Sequence, residues 1–202
     1  MSDPTFTFYV DMDGVLAKYD YNMYLPGIDR EDLFAGREAL IRLSNKNAPG
    51  KLAKYQIPGQ HVYRDLPGDA TMIAIFNMLY RDQDRKCKVL TGLGCPYLIS
   101  EQTLDKLWWC HSHLDGFDNK DFLCTYGSKD SAVTHLKNLT ATDVLIDDYN
   151  RNLDDWRNSG GTAIKYVNGI NSARNDMFCL FYIETPDENI KRLDEYLQTL
   201  RA

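Results

Sequence analysis

The chain has 202 residues, 44% of them hydrophobic and 26% charged, with a formal net charge of −6. That length suits one full core, or one core with a small insertion. The acidic balance excludes a basic surface for extended nucleic acid, and no apolar run approaches the ~20 residues that cross a bilayer.

Phe6 to Val10 is apolar, aromatic and β-branched, the pattern of a buried strand. It ends at Asp11-Met12-Asp13-Gly14. Two carboxylates this close repel one another and are costly unless a cation neutralises them. An acidic hairpin turn is the plainer alternative, because Asp-Gly is a turn signal. The strand starts so near the beginning that a signal peptide is not expected.

Residues 18–66 break the pattern with five tyrosines, three Pro-Gly pairs and weak helical periodicity. Arg30 to Ser44 is the best helix there, with Leu33, Phe34, Ala39, Leu40 and Leu43 on one face. This stretch reads as a small, mainly helical cap inserted after the first strand. The core then comprises residues 1–17 and 67–202.

From Asp69 onward strands and helices alternate. Helices are expected at Ala70–Tyr80, at Tyr97–His113 (with Leu98, Leu104, Leu107 and Trp108 as its apolar residues), and at Ser131–Leu139. Two more are expected at Asn152–Asn158 and Asp187–Leu200, the last carrying Ile190, Leu193, Leu197 and Leu200. Strands fall at Cys87–Leu90, Asp121–Tyr126, Val144–Ile146, Thr162–Val167 and Met177–Ile183. Alternation of this kind predicts an α/β fold, a doubly wound parallel sheet with helices on both faces.

The five cysteines, Cys87, Cys95, Cys110, Cys124 and Cys179, form no Cys-x-x-Cys pair and read as free thiols of a cytoplasmic protein. Cys110, His111 and His113 lack the second ligand pair of a zinc site.

In a parallel sheet the carboxyl ends of the strands share one edge, where ligands bind. That edge gathers Asp11 and Asp13, Thr91 after the second strand, and Asp147 and Asp148 after the fourth. Lys129 opens the helix before that fourth strand. A carboxylate nucleophile, a second carboxyl to move a proton, a hard oxygen site for Mg²⁺ and N–H or O–H donors for phosphate are the parts of phosphoryl transfer through an aspartyl-phosphate.

Asp11-Met-Asp-Gly-Val, the strand ending in Thr91, Lys129, and Leu145-Ile-Asp-Asp148 resemble, in order, the four motifs of the haloacid dehalogenase-like (HAD) phosphatases. Within them the chain is most similar to the 5′(3′)-deoxyribonucleotidases of 5′-nucleotidase C type. The resemblance implies a HAD-like Rossmannoid core and a Mg²⁺-dependent phosphomonoesterase. It implies that Asp11 is the nucleophile and Asp13 the acid–base, with its main-chain carbonyl on Mg²⁺. Asp11, Asp147 and Asp148 would complete the metal shell, and Thr91, Gly92 and Lys129 would bind phosphate. Tyr19 and the segment Val62, Tyr63 and Arg64 would contact the nucleoside. Gly92 stands where those nucleotidases usually carry serine, and Tyr149-Asn-Arg-Asn replaces their usual charged run.

The expected substrate is therefore a small nucleotide, a deoxynucleoside monophosphate. A sugar phosphate or a polynucleotide end is the alternative within the same chemistry, and a non-catalytic phosphate-binding module is the alternative outside it. No membrane partner is expected, and the oligomeric state stays open.

Overall fold

Strand β1 (Thr7–Val10) lies in the middle of the sheet and every one of its residues is buried. Phe8 and Val10 face one core cluster and Tyr9 the other, the alternation that a pleated strand imposes. The computed structural model describes residues 5–18, 59, 61, 63–94 and 96–200. The predicted helix at Arg30–Ser44, together with Tyr19, Val62 and Cys95, lies outside the described residues.

After β1 the described chain continues through α1 (Ala70–Arg81), β2 (Lys86–Gly92), α2 (Ile99–His113) and β3 (Phe122–Thr125). There follow α3 (Lys129–Thr134), β4 (Asp143–Asp147), α4 (Asn150–Asn158), β5 (Thr162–Val167), β6 (Phe178–Phe181) and α5 (Pro186–Thr199). The six strands run in the order β3-β2-β1-β4-β5-β6, and all their pairings are parallel. The expected doubly wound α/β core is what forms. Residues of α1, α2 and α5 pack with Phe8 and Val10 on one face, and those of α3 and α4 with Tyr9 on the other.

The chain builds outward from β1 to β3, then returns beside β1 to start β4. The strand order therefore reverses between β1 and β4, and ligands of open α/β sheets bind in the crevice outside such a reversal. Register brings the right residues to it: Val10 pairs with Val89 on one side and Ile146 on the other. Asp11, Leu90 and Asp147 consequently lie at one level, where β1 and β4 end and β2 runs on to Gly92.

Residues 12–17 fold back on themselves, with Ala17 N–H donating to Met12 O at 2.8 Å and Gly14 N–H to Ala17 O at 2.8 Å. Lys18 N–H then donates to Pro67 O at 2.7 Å, and Asp69 N–H to Leu16 O at 2.8 Å. The two ends of the intervening stretch are thus fastened side by side.

Most predicted elements form with ends shifted by a residue or two. β2 runs on through Thr91 and Gly92, whereas α3 is shorter than predicted and ends at Thr134. The correction of consequence is in α2, which starts at Ile99 after a short 3₁₀ turn at Pro96–Leu98. Its inward face is not the predicted apolar one. Leu104 and Trp108 are 60% and 48% exposed, while Gln102, Asp105, Lys106, Trp109 and Cys110 are buried. Of the predicted set, Leu107 packs partly against the core. The reason is that α2 covers the site end of the sheet, where polar groups find partners.

Candidate active site

Asp11 follows β1, and its main chain continues the ladder by donating to Ile146 O at 2.9 Å. Its Oδ1 accepts from Met12 N–H at 2.7 Å and pairs with the Lys129 ammonium at 2.6 Å. Two donors on one oxygen fix the plane of the carboxyl. Lys129, the first residue of α3, also reaches Asp147 Oδ2 at 2.7 Å, so one buried cation bridges two buried carboxylates.

The two acids after β4 are held differently. Asp147 Oδ1 accepts from Tyr149 N–H at 2.7 Å, and its Oδ2 takes Asn152 Nδ2 at 2.9 Å besides Lys129. Asp148 accepts from Asn168 Nδ2 at 3.2 Å through Oδ2, and its main-chain oxygen receives Lys165 and Asn171. Asn168 also donates to Gly14 O at 2.8 Å, which ties the loop after β5 to the turn after β1. Gly14 has φ +82, and a Cβ there would lie 2.7 Å from Asp148 Oδ2. Glycine is required at that turn both by its left-handed backbone and by this close approach.

Burial pushes the Asp11 carboxyl up to about 8; Lys129 opposes this, and the charges of Asp147 and Asp13 add to it. The same pairing raises Lys129 against the opposite pull of its own burial. One carboxylate oxygen each from Asp11, Asp147 and Asp148 lies within 4.8 Å of the others, and all three residues are buried. All-oxygen donors with excess negative charge out of water suit a hard divalent cation.

On the other side of Asp11, Thr91 is fully buried at the end of β2, with Gly92 beside it. Asp13 is held by Lys106, whose ammonium contacts Asp13 Oδ2, Thr91 Oγ1 at 2.8 Å and Gly92 O at 2.8 Å. The other oxygen, Asp13 Oδ1, is buried without a hydrogen-bond partner among the described residues. The structure thus brings Asp11, Asp13, Thr91, Gly92, Lys129, Asp147 and Asp148 to one edge.

Tyr63 and Arg64 lie beside this edge, against residues of α2. Tyr63 is 5% exposed, with its ring 4.4 Å from the Lys106 ammonium. Arg64 Nε pairs at 2.7 Å with Asp105, which His61 also reaches at 2.8 Å. Tyr19 and Val62 lie outside the described residues.

Five residues around the site escaped the sequence reading: Lys106, Asn152, Lys165, Asn168 and Asn171. Only Lys106 left a signal, as a lysine on a helix whose polar residues also recur at helical spacing, Gln102, Asp105 and Lys106.

No protein-family model matches the sequence, and no curated protein matches it. Solved structures do. A haloacid dehalogenase-like family hydrolase from Xanthomonas campestris is 14% identical, over 96% of this chain and 98% of that one, with a TM-score of 0.51. A D,D-heptose 1,7-bisphosphate phosphatase from B. bronchiseptica, complexed with magnesium and phosphate, is 10% identical, over 95% of this chain and 99% of that one, also with a TM-score of 0.51. The chain therefore has the fold of the haloacid dehalogenase-like hydrolases.

Proposed function

We propose that the protein is a Mg²⁺-dependent phosphomonoesterase that cleaves a small phosphorylated substrate through an aspartyl-phosphate on Asp11. The observation that carries this reading is the triad Asp11–Lys129–Asp147, with Asp13 two residues after the nucleophile at the reversal of the sheet. Asp11, Asp148 and the main-chain carbonyl of Asp13 would hold the metal, with Asp147 beside them, its Oδ2 taken by Lys129 and Asn152. Bound there, Mg²⁺ would offset the carboxylate charge and polarise a phosphate oxygen.

The chain's own groups do the rest. A carboxylate oxygen of Asp11 attacks phosphorus in line while Lys129 neutralises charge on the equatorial oxygens. The Thr91 hydroxyl and the Gly92 N–H hold those oxygens. Asp13 protonates the departing alcohol and then takes a proton from the water that releases phosphate.

Residues 18–66 form the cap in this reading, and the paired ends at Lys18–Pro67 and Leu16–Asp69 support a boundary there. The substrate proposed is a deoxynucleoside monophosphate, on the motif resemblance. A sugar phosphate is the second reading, favoured by the burial of Tyr63, whose ring covers the Lys106 ammonium. Among the described residues no helix is long and apolar enough to cross a membrane.

A phosphate-release screen over nucleoside monophosphates and sugar phosphates with Mg²⁺ tests both levels. Preference for nucleotides supports the first substrate, preference for sugar phosphates the second. No release from any of them, or from an aryl phosphate, would remove the phosphatase reading.

A further inference from the structure

Lys106 sits on α2 with no exposed surface, and long cations are rarely buried to that degree unless their donors are all used. Its ammonium has three N–H donors. They meet three acceptors: Asp13 Oδ2, Thr91 Oγ1 at 2.8 Å and Gly92 O at 2.8 Å. The face of Tyr63 covers the same ammonium at 4.4 Å. Lys106 is therefore spent on protein groups and offers no donor to a phosphate.

Each contact leaves its partner aimed in a particular way. A hydroxyl oxygen that accepts from an ammonium keeps its own O–H for another acceptor, so Thr91 has its proton to give to a phosphate oxygen. A carboxyl held through Oδ2 presents Oδ1, the buried oxygen that has no hydrogen-bond partner among the described residues. We infer that Lys106 is a positioning residue, fixing the acid–base carboxyl of Asp13 and the Thr91 hydroxyl at once. This rests on the phosphatase reading above.

In the first half-reaction the proton on Asp13 Oδ1 moves to the departing oxygen as its bond to phosphorus breaks and the Asp11–phosphorus bond forms. In the second, Asp13 takes a proton from water as the water oxygen bonds phosphorus and the Asp11–phosphorus bond breaks. Lys106 touches neither reacting atom. It acts through Asp13.

The test compares 4-nitrophenyl phosphate with phenyl phosphate in Mg²⁺. The nitrophenolate leaves readily as an anion, whereas phenolate depends more on a delivered proton. The quantity compared is kcat/KM, which reports steps up to departure of the alcohol and leaves out the shared hydrolysis of the aspartyl-phosphate. Lys106→Met, of similar length and without charge, is expected to lose at least about ten times more kcat/KM on phenyl phosphate than on 4-nitrophenyl phosphate, within the ~10²–10⁴-fold range of acid–base catalysis. Asp13→Asn should show the same selectivity, and Lys106→Met should add none to it in the double variant. Lys106→Gln, which keeps two N–H donors, should restore part of the loss. A role in packing alone would lower both substrates equally, and that result, or no loss at all, overturns the proposal. So does failure of both the Met and Gln chains to fold, which would make Lys106 a structural lysine. A wild type that hydrolyses neither ester overturns the phosphatase reading and this proposal with it; an active wild type with an unselective variant overturns only the role of Lys106.

Discussion

Asp11 and Asp147 leave adjacent parallel strands at one level and share a single buried ammonium, that of Lys129, at 2.6 and 2.7 Å. Removing the cation leaves two buried carboxylates facing each other. Lys129→Met is expected to lower kcat by about 10²–10³-fold, the usual effect of deleting one oxyanion donor. In chelator it should also lower stability, by about 3–5 kcal/mol, because a buried charge loses its partner. Added Mg²⁺ should recover part of that stability but little of the rate. Kinetics and urea unfolding with and without Mg²⁺ check both halves.

The carboxyl of Asp11 gives stability a pH dependence of known sign. Burial, against the pull of Lys129 and with the charges of Asp147 and Asp13, raises it from 3.8 to about 8. A carboxyl raised on folding contributes fully below its unfolded value and loses that contribution as pH rises through its folded value. In chelator, the urea midpoint of wild type is therefore expected to fall relative to that of Asp11→Asn between pH 5 and pH 9. Mg²⁺ should narrow the gap at the upper end. Parallel midpoints across that range would contradict the buried, cation-demanding Asp11.

Gly14→Ala tests how tightly the turn after β1 is fitted to the metal shell. The backbone there has φ +82, and the new methyl would meet Asp148 Oδ2 at 2.7 Å and its Cγ at 2.8 Å. The left-handed conformation alone costs a residue with a Cβ about 1–2 kcal/mol. The collision adds a displaced carboxylate, so Mg²⁺ affinity measured by calorimetry should fall more than about tenfold, as when a ligand's supporting contact is lost. Unchanged affinity would show that Asp148 does not hold the metal.

The opposite end of the sheet predicts a change in stability without a change in chemistry. Trp156 packs on Tyr9 with ring centroids 5.1 Å apart and donates to Asp143 O at 3.0 Å, at the start of β4 rather than its site end. A Cβ on Gly161 would lie 2.2 Å from the Trp156 ring nitrogen. Gly161→Ala is expected to cost about 1–3 kcal/mol in urea unfolding, the range for overpacking a tight core. Its KM and kcat should stay those of wild type.

Much of this site could be read along the chain because its reactive groups follow strands, and buried strands declare themselves as short apolar runs. Asp11, Thr91 and Asp147 sit at the ends of such runs, and parallel pairing does the gathering. Lys106 could not be found that way. Its helix shows Leu104 and Trp108 outward and turns Gln102, Asp105 and Lys106 inward, the reverse of what apolar periodicity selects. A polar stripe reads as a solvent face unless the partners that satisfy it are known, and those partners lie on other elements. Asn152 and Asn168 have a different difficulty. Their hydrogen bonds to Asp147 and Asp148 come from the start of a helix and from a loop, where no repeating pattern marks them. Tyr63 was legible as an aromatic near the site but not in its placement against Lys106, which depends on where α2 packs.

The central claim is that Asp11 carries the phosphoryl group. The direct measurement is to quench turnover of a radiolabelled phosphomonoester in acid and look for label on the denatured protein. The account predicts a hydroxylamine-labile acyl-phosphate at Asp11 in wild type, formed only with Mg²⁺ and absent from Asp11→Asn. Steady phosphate release by wild type with no covalent label, or with label on another residue, would contradict it.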